Sequence, residues 1–427
     1  MKSWKCIIIF IILCLLPLII TAQCYSLKEL VEDAIDNNIT LKQSKINLNI
    51  SKAKQHSARV SYLPDLSAGF NHSEILKYDS RYDRLNKSDT LSVSSDNMYF
   101  TVSKSIALNN TSYFTNKEAN HNFKLAVIDN EIQIQNVLYQ IITSYISVLE
   151  NQKRKELLEN NILVQENIVS ESRSLYRQAK ITQIQLQQSE INLLNARISL
   201  LNTQNTLNLN RKKLFDLINI EDKGYILNEV SLYINEDIFQ RELNLNRVYR
   251  IQQQEETIRK LRTNIRQTQL DFAPQLNLQY RLNRNLDIDT QNTYGNTSHT
   301  IGLYLSYSLN GLFRNYYSHR VNKLLDVQNE LKTSQLVKDI MLDFDQYLEE
   351  LNYLMQLDIL LENRKQQAAE NLAIAQQRYR LGLETQLDLE KASYENLEAE
   401  KAKEDNRYQL IRTKLNIDHL LCNEFQF

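Results

Sequence analysis

Helix-breaking residues are scarce in this chain. Its 427 residues contain only three prolines and six glycines, and Pro17 lies in an apolar N-terminal segment, which leaves Pro64 and Pro274 downstream. A compact α/β enzyme with many tight turns needs more of both residue types, so the composition favours long uninterrupted helices. The formal net charge of −1 gives no reason to expect nucleic acid or another polyanion as a partner.

Cysteines and the usual signatures of chemistry are also sparse. Only Cys24 and Cys422 lie outside the apolar N-terminal segment, and they could pair only if the two ends of the chain lie side by side. The six histidines are scattered, and none stands at ligand spacing from a cysteine or an acidic residue. The sequence has no glycine-rich phosphate loop and no serine or cysteine nucleophile motif. We therefore expect no catalytic residues, no metal and no cofactor.

The N-terminus predicts export. Two lysines precede an apolar run that ends at Ile20, and small residues follow it. The run is short for a membrane anchor and ends in a cleavage-type segment, so residues 1–22 are predicted to be a secretory signal peptide. Cleavage there would place Gln23 first and Cys24 second. Cys24 is a candidate for lipidation, although Gln23 stands where lipoprotein signals carry glycine or alanine.

The most informative pattern is an internal repeat. YRQAKITQIQLQQSEINLLNAR (176–197) aligns with YRLGLETQLDLEKASYENLEAE (379–400) at an offset of 203 residues, close to half the chain. Segments far from this motif align at the same offset, so the repeat covers whole halves. Residues 23–220 are predicted to form the first repeat and residues 241–427 the second, with residues 221–240 as a connecting, equatorial segment.

Each repeat opens with a helical pattern and then changes to the two-residue period of strands. Residues 27–60 have the period of one helix, which would end before Pro64. Beyond it, apolar and polar residues alternate in two runs, which predicts a β-hairpin in each repeat. The predicted strands are about 66–76 and 97–107, then about 276–285 and 299–309. The polar face of the second hairpin carries Asn277, Gln279, Arg281, Thr300 and Ser306.

Long helical stretches follow each hairpin. Apolar residues recur there at steps of three and four, a period typical of helices packed side by side as coiled coils. At about 1.5 Å per residue, a stretch of about 60 residues spans roughly 90 Å, which is longer than a membrane is thick. The predicted helices are about 112–178 and 182–219 in the first repeat, and about 313–380 and 385–421 in the second.

The repeated motif falls on the turn between the two long helices of each repeat. Gly382 is suited to a helix end, and Thr182 and Thr385 are predicted to be N-caps. Gln185 and Asp388 stand three residues further on, as in a capping box. The residues before the turns either contact a partner at the helix tips or pack the end of the hairpin; they are Tyr176, Arg177, Tyr379 and Arg380.

The alternating strands leave more than one architecture open. Alternation over about ten residues is the pattern of a membrane-spanning β-barrel, although an ordinary half-buried sheet shows it too. A sheet in lipid must close, because open edges leave backbone groups unsatisfied. Two chains would give eight strands and a plugged lumen, and three would give twelve and room for a passage. The predicted lumen residues are the polar ones, which suit water: Asn277, Gln279, Arg281, Thr300 and Ser306. The predicted fold class is mainly α with membrane β-barrel strands, in two tandem repeats of helix, β-hairpin and long helical hairpin.

With this arrangement the chain resembles the TolC-like outer membrane efflux proteins. The resemblance covers essentially the whole mature sequence and rests on the repeat, the proline-led hairpins, YRLGLETQLDL (379–389) and YSLNGLFRN (307–315). It implies a homotrimer with a twelve-stranded barrel in outer membrane lipid and an α-helical tunnel in the periplasm. It further implies a periplasmic adaptor (membrane fusion) protein and an inner-membrane pump as partners, in a tripartite efflux pump or a type I secretion system with passive passage to the cell exterior.

The resemblance also implies an entrance. In the family, aspartates after the second repeated turn ring the narrow periplasmic entrance, and Asp388 matches the first of these positions. Lys391 replaces the second aspartate, Glu384 replaces an arginine that helps to latch the entrance, and Gln185 stands at the matching position of the first repeat. Asp388 can equally be read as a residue that stabilises the start of a helix.

One alternative function stays open. An exported periplasmic coiled-coil scaffold or adaptor-type protein without a pore would have the same long helices, with its strands in a small soluble sheet. That alternative gives no reason for the alternating faces of all four predicted strands.

Overall fold

The structure is a computed structural model, and it describes residues 24–75, 93–106, 111–229, 244–286, 297–423 and 425. The predicted signal peptide and most of the two polar hairpin loops lie outside these ranges, and so does the side chain of Cys24. Lipidation of Cys24 therefore stays a prediction, and its pairing with Cys422 stays an open alternative.

Helices dominate the described chain, and the order of elements repeats once. In chain order the elements are β1 (Cys24–Tyr25), α1 (Leu27–Asn37), α2 (Ile39–Val60), β2 (Asp65–Ile75), β3 (Val93–Ser105), α3 (Thr111–Arg177), α4 (Gln183–Ile218), β4 (Ile226–Leu227), α5 (Tyr249–Leu270), β5 (Gln275–Asn285), β6 (Thr297–Ser306), α6 (Leu309–Arg380) and α7 (Gln386–Leu420). None of the helices in the described ranges combines the length and the apolar character needed to cross a membrane.

The single helix predicted over 27–60 is wrong, because Asn38 interrupts it. The backbone of Asn38 is extended, with φ −60° and ψ 128°. Its side-chain oxygen accepts a hydrogen bond from the N–H of Leu41 at 3.0 Å, and its amide donates to the carbonyl of Leu217 at 2.6 Å. Asparagine favours such breaks because its side chain competes with the backbone for hydrogen bonds.

The chain divides into two compact units that cut across the repeats. One, which we call the tip unit, comprises Met1–Gln43, Gln133–Asn244 and Ile340–Phe427. The other, the sheet unit, comprises Ser44–Ile132 and Leu245–Asp339. Each unit contains segments from both repeats, so the boundaries of the sequence repeats are not the boundaries of the compact units.

The core of the tip unit is built from the predicted heptad positions. Ile141, Tyr145 and Val148 of α3 are fully buried and pack with Leu214 of α4. The Tyr145 hydroxyl donates to the carbonyl of Asn228 at 2.7 Å, and burial raises the pKa of Tyr145 to about 12. Coiled-coil packing of the long helices thus follows from their 3.5-residue period.

The sheet unit contains one four-stranded antiparallel sheet. Its order is β2-β3-β5-β6, so β2 and β6 are the edge strands. The register places Leu278 opposite Leu303 and Gln279 opposite Gly302, which gives one apolar and one polar face. The last strand ends at Ser306, before its predicted end, and the Ser308 hydroxyl then accepts the N–H of Gly311 at 3.2 Å as α6 begins.

Within the sheet unit, α3 and α5 are joined by a buried polar cluster. His121 Nδ1 lies 2.6 Å from a carboxylate oxygen of Glu256, which is only 3% exposed. Arg259 Nη1 donates to the other Glu256 oxygen at 3.2 Å, and His121 Nε2 lies 3.1 Å from the Thr263 hydroxyl. The buried Glu256 carboxylate thus has a positively charged partner in Arg259, as burial of an ionised carboxylate requires.

Candidate functional site

The two helix turns of the tip unit share one backbone conformation. One residue in each turn is left-handed, Ala179 with φ 54° and Gly382 with φ 75°. The N–H of Ala179 donates to the Tyr176 carbonyl at 2.9 Å, and the N–H of Gly382 donates to the Tyr379 carbonyl at 3.0 Å. Glycine suits this helix-ending conformation, whereas the Cβ of alanine is disfavoured in it. The first turn therefore carries strain that the second avoids.

Both predicted N-caps are present after these turns. The Thr182 hydroxyl accepts the N–H of Gln185 at 3.4 Å, and the Gln185 side chain accepts the N–H of Thr182 at 2.8 Å, which completes a capping box. The Thr385 hydroxyl accepts the N–H of Asp388 at 3.2 Å and donates to the Asp388 carboxylate. Asp388 thus lies in the first turn of α7, where a residue that stabilises the start of the helix is expected.

A buried polar network joins all four long helices at the turns. Tyr379 is 2% exposed, and its hydroxyl lies 3.1 Å from the Ser172 hydroxyl. Ser172 lies 3.2 Å from Ser189, and the Gln386 amide donates to Ser189 and, at 2.6 Å, to the carbonyl of Gln185. Burial raises the pKa of Tyr379, although the bond to Ser172 opposes this. Tyr379 is thus packed inside the end of the helical hairpin, and its contact with a partner stays a prediction.

The other residues before the turns remain on the surface. Tyr176 is 42% exposed, and Arg177 is exposed as well. Arg380 pairs with Glu171 through an Nε–Oε1 distance of 2.6 Å, so it links α6 to α3. Tyr176 and Tyr379 therefore differ in environment, although the repeat aligns them.

The predicted entrance residues differ in their charge balance. Glu384 forms an ion pair with Arg378 at 2.6 Å, and Lys391 lies 3.9 Å from Glu395. Asp388 is exposed, and in the part of the chain that the structure describes no lysine or arginine pairs with it. Asp388 is thus the predicted entrance acid whose negative charge is not compensated locally.

The sheet unit brings the predicted lumen residues onto one face. The register pairs Arg281 with Thr300, Asn277 with Tyr304, and Gln275 with Ser306. These residues and Gln279 share the polar face, because residues opposite each other in a ladder point the same way. The sheet thus presents one continuous polar surface, as the alternation predicted.

Two tyrosines lie flat on this polar face. A Cβ on Gly69 would come within 2.5 Å of the Tyr99 ring, and a Cβ on Gly302 within 2.6 Å of the Tyr304 ring, so each ring covers a glycine. The guanidinium carbon of Arg281 lies 4.8 Å from the centre of the Tyr99 ring. The sequence holds no local signal for this stack, since it depends on the pairing of strands far apart in the chain.

The opposite face of the sheet is apolar and largely uncovered. Leu303 is 63% exposed and Ile301 is 77% exposed, and both lie on the edge strand β6. On the other edge strand, Leu66 and Phe70 are exposed as well. A contiguous apolar surface of this kind marks contact with a membrane or a partner.

The helix turns offer charges and hydrogen bonds, and the sheet offers a polar face and an apolar face. Within the described ranges, no three His, Cys, Asp or Glu side chains come together in a way that could hold a metal ion. Sequence reasoning missed three residues of the buried network: Ser172, Ser189 and Gln386. Gln386 stands in the repeated motif, but its exposed repeat partner Gln183 has the same residue type, so the sequence carries no signal of its burial.

The family comparison decides between the two functions that the sequence left open. The model of the outer membrane efflux protein family matches residues 30–219 and 241–423. The chain belongs to the outer membrane efflux protein family. The resemblance to TolC-like proteins is confirmed, and the alternative of a scaffold without a pore is excluded.

Solved structures of outer membrane channels share the fold. VceC from Vibrio cholerae is 16% identical, with a TM-score of 0.80 over 94% of this chain and 97% of that one. CmeC from Campylobacter jejuni is 16% identical, with a TM-score of 0.79 over 92% and 85% of the two chains. OprN is 15% identical, with a TM-score of 0.81 over 93% and 90%. Curated protein sequences give no match. As an outer membrane efflux protein, the chain is a channel of the outer membrane with its helical part in the periplasm.

Proposed function

We propose that three copies of this outer membrane efflux protein assemble and that their sheets join into one twelve-stranded barrel. Substrates would pass through it without energy input from this protein. A periplasmic adaptor and an inner-membrane pump would load the passage, in a tripartite efflux pump or a type I secretion system. The family match supports this proposal, because its members are outer membrane efflux proteins.

The proposed barrel is supported by the structure of the sheet, which has an uncovered apolar face and two open edges. In the described strands, β2 pairs only with β3, and β6 pairs only with β5. An open edge in hydrocarbon leaves N–H and C=O groups unsatisfied, at several kcal/mol each. Pairing β6 of one copy with β2 of the next removes every such edge once the ring closes. Eight strands would leave little room inside, and twelve leave a passage.

Two uncovered apolar stripes on the long helices support a ring of copies. Both stripes lie in the tip unit, and every member is exposed. Neighbouring members are seven residues apart, or fourteen apart where the polar Gln367 stands between Leu360 and Ile374. The stripe on α4 comprises Ile184, Ile191 and Ile198. The stripe on α6 and just beyond it comprises Tyr353, Leu360, Ile374 and Leu381. A seven-residue step is the mark of a coiled-coil seam, so the α4 stripe of one copy suits the α6 stripe of the next.

At the helix turns, we assign the entrance to Asp388. Three copies would place three carboxylates near one another, and a ring of like charges favours cations. Gln185 in the first repeat is neutral, and the charges of Glu384 and Lys391 have nearby partners. The exposed Tyr176 and Arg177 are the residues that we expect an adaptor to contact.

The test is a pair of lysine substitutions at neighbouring positions with opposite faces. Leu278→Lys puts a charge on the apolar face, and such a charge costs about 2–4 kcal/mol per copy at the bilayer midplane and less towards its surfaces. Gln279→Lys puts the same charge on the polar face, where water would solvate it. The readout is the mass of protein extracted from membranes in mild detergent, measured by light scattering.

We expect trimers for the unchanged protein and for Gln279→Lys, and loss of membrane-inserted trimer for Leu278→Lys. Equal tolerance of both lysines would contradict the barrel. An unchanged protein that leaves the membrane without detergent, as a monomer or dimer, would contradict the proposal as a whole.

A further inference from the structure

The polar face of the sheet carries a single stacked cation. The Tyr99 ring lies flat over Gly69, and the Arg281 guanidinium lies 4.8 Å from the ring centre. Arg281 is exposed, and no carboxylate in the described ranges forms an ion pair with it. A guanidinium over an aromatic face is attracted by the ring without using its N–H donors, so these stay available to a ligand.

The charge of Arg281 has one opposing charge on the same face. Of the side chains that the described strands place there, only Arg281 and Asp65 are charged. Asp65 pairs with Ser103, and Ser103 with Gln279, so Asp65 lies two strands and one row away from Arg281. Strand spacing puts the two charges roughly 12 Å apart, too far for a contact ion pair.

We propose that Arg281, positioned by Tyr99, is an anion-binding subsite on the wall of the passage. It suits the carboxylate, sulfonate or phosphate groups of exported organic anions, because the planar fork of a guanidinium donates two parallel hydrogen bonds to such oxyanions. The inference rests on the proposed barrel, since the polar face must line the passage. Three copies would then place three such cations in one ring.

The size of the effect follows from screened Coulomb interactions. In water at 0.1 M salt, three unit charges about 10 Å from an ion change its local concentration by roughly twofold, and they act on cations and anions with opposite sign. Removing the three charges should therefore lower the permeability of anions relative to cations by about threefold or more.

The experiment measures reversal potentials of trimers in planar bilayers, across a gradient of KCl and then of potassium benzenesulfonate. Arg281→Gln removes the charge, and Arg281→Lys keeps it. Arg284→Gln is the matched control, because Arg284 lies on the same strand but on the opposite face, paired with Met98 and Thr297. Migration as a trimer on a native gel confirms that each variant assembles.

We expect Arg281→Gln to lower the ratio of anion to cation permeability about threefold in both salts. In KCl, Arg281→Lys and Arg284→Gln should leave the ratio close to that of the unchanged protein. An unchanged ratio in Arg281→Gln, an equal fall in Arg284→Gln, or a fall in Arg281→Lys as large as in Arg281→Gln would overturn the subsite. Absence of any conductance in the unchanged protein would instead overturn the proposed passage itself.

Discussion

The buried cluster between α3 and α5 provides the sharpest test of how the sheet unit is held together. Thr263 donates its hydroxyl hydrogen to the carbonyl of Arg259 at 3.0 Å, so its oxygen accepts from His121 Nε2. His121 Nδ1 lies 2.6 Å from one carboxylate oxygen of Glu256, and Arg259 donates to the other oxygen. Glu256→Gln keeps the size of the side chain but removes the charge that faces both His121 and Arg259.

The expected cost of Glu256→Gln is about 2–3 kcal/mol of local stability. Loss of one partner from a buried ion pair costs about 3–5 kcal/mol, and the amide recovers part of that through a hydrogen bond. Glu255→Gln is the control on the neighbouring residue. The Glu255 side chain is 47% exposed and pairs with Arg259 at 3.3 Å, and an exposed pair of this kind contributes about 0.3–0.5 kcal/mol.

Amide hydrogen exchange read by mass spectrometry on peptides of α5 measures this difference directly. A loss of 2–3 kcal/mol corresponds to exchange about thirty- to hundredfold faster, since 1.4 kcal/mol is a factor of ten. Glu255→Gln should change the rate by about threefold at most. If both variants altered the protection of α5 by the same factor, the buried pair would not be what stabilises this packing.

Two further predictions concern the helix turns. Ala179→Gly should stabilise the first turn by about 0.5–1 kcal/mol, and Gly382→Ala should destabilise the second by a similar amount. The reason is that the strain of a left-handed alanine outweighs the extra backbone entropy of glycine. Local hydrogen exchange measures both effects, and changes of equal sign would refute the explanation. Asp388→Asn keeps an oxygen for the Thr385 hydroxyl but removes the charge at the entrance, so the permeability of cations relative to anions should fall about threefold. An unchanged ratio in bilayer recordings would leave Asp388 with its helix-start role alone.

The sequence by itself determined the long helices, the four long strands and the faces of both. A step of 3.5 residues over long stretches without glycine or proline requires helices with an apolar seam, and Ile141, Tyr145 and Val148 are buried as this step predicts. Strict alternation requires strands with two unlike faces, and the register places Leu278 and Gln279 on opposite faces. These properties depend on neighbours within a few residues, which is why they can be read from the chain.

Only the tertiary structure decided which repeated residues became buried and which stayed exposed. Tyr176 and Tyr379 align in the repeat, yet only Tyr379 is buried, because α6 and α7 pack against α3 there. Gln183 and Gln386 differ in the same way. The Arg281–Tyr99 stack likewise required the pairing of β3 with β5, whose residues are far apart in the sequence. Local periodicity sets which way a side chain points, but the partner it meets depends on contacts that no local pattern encodes.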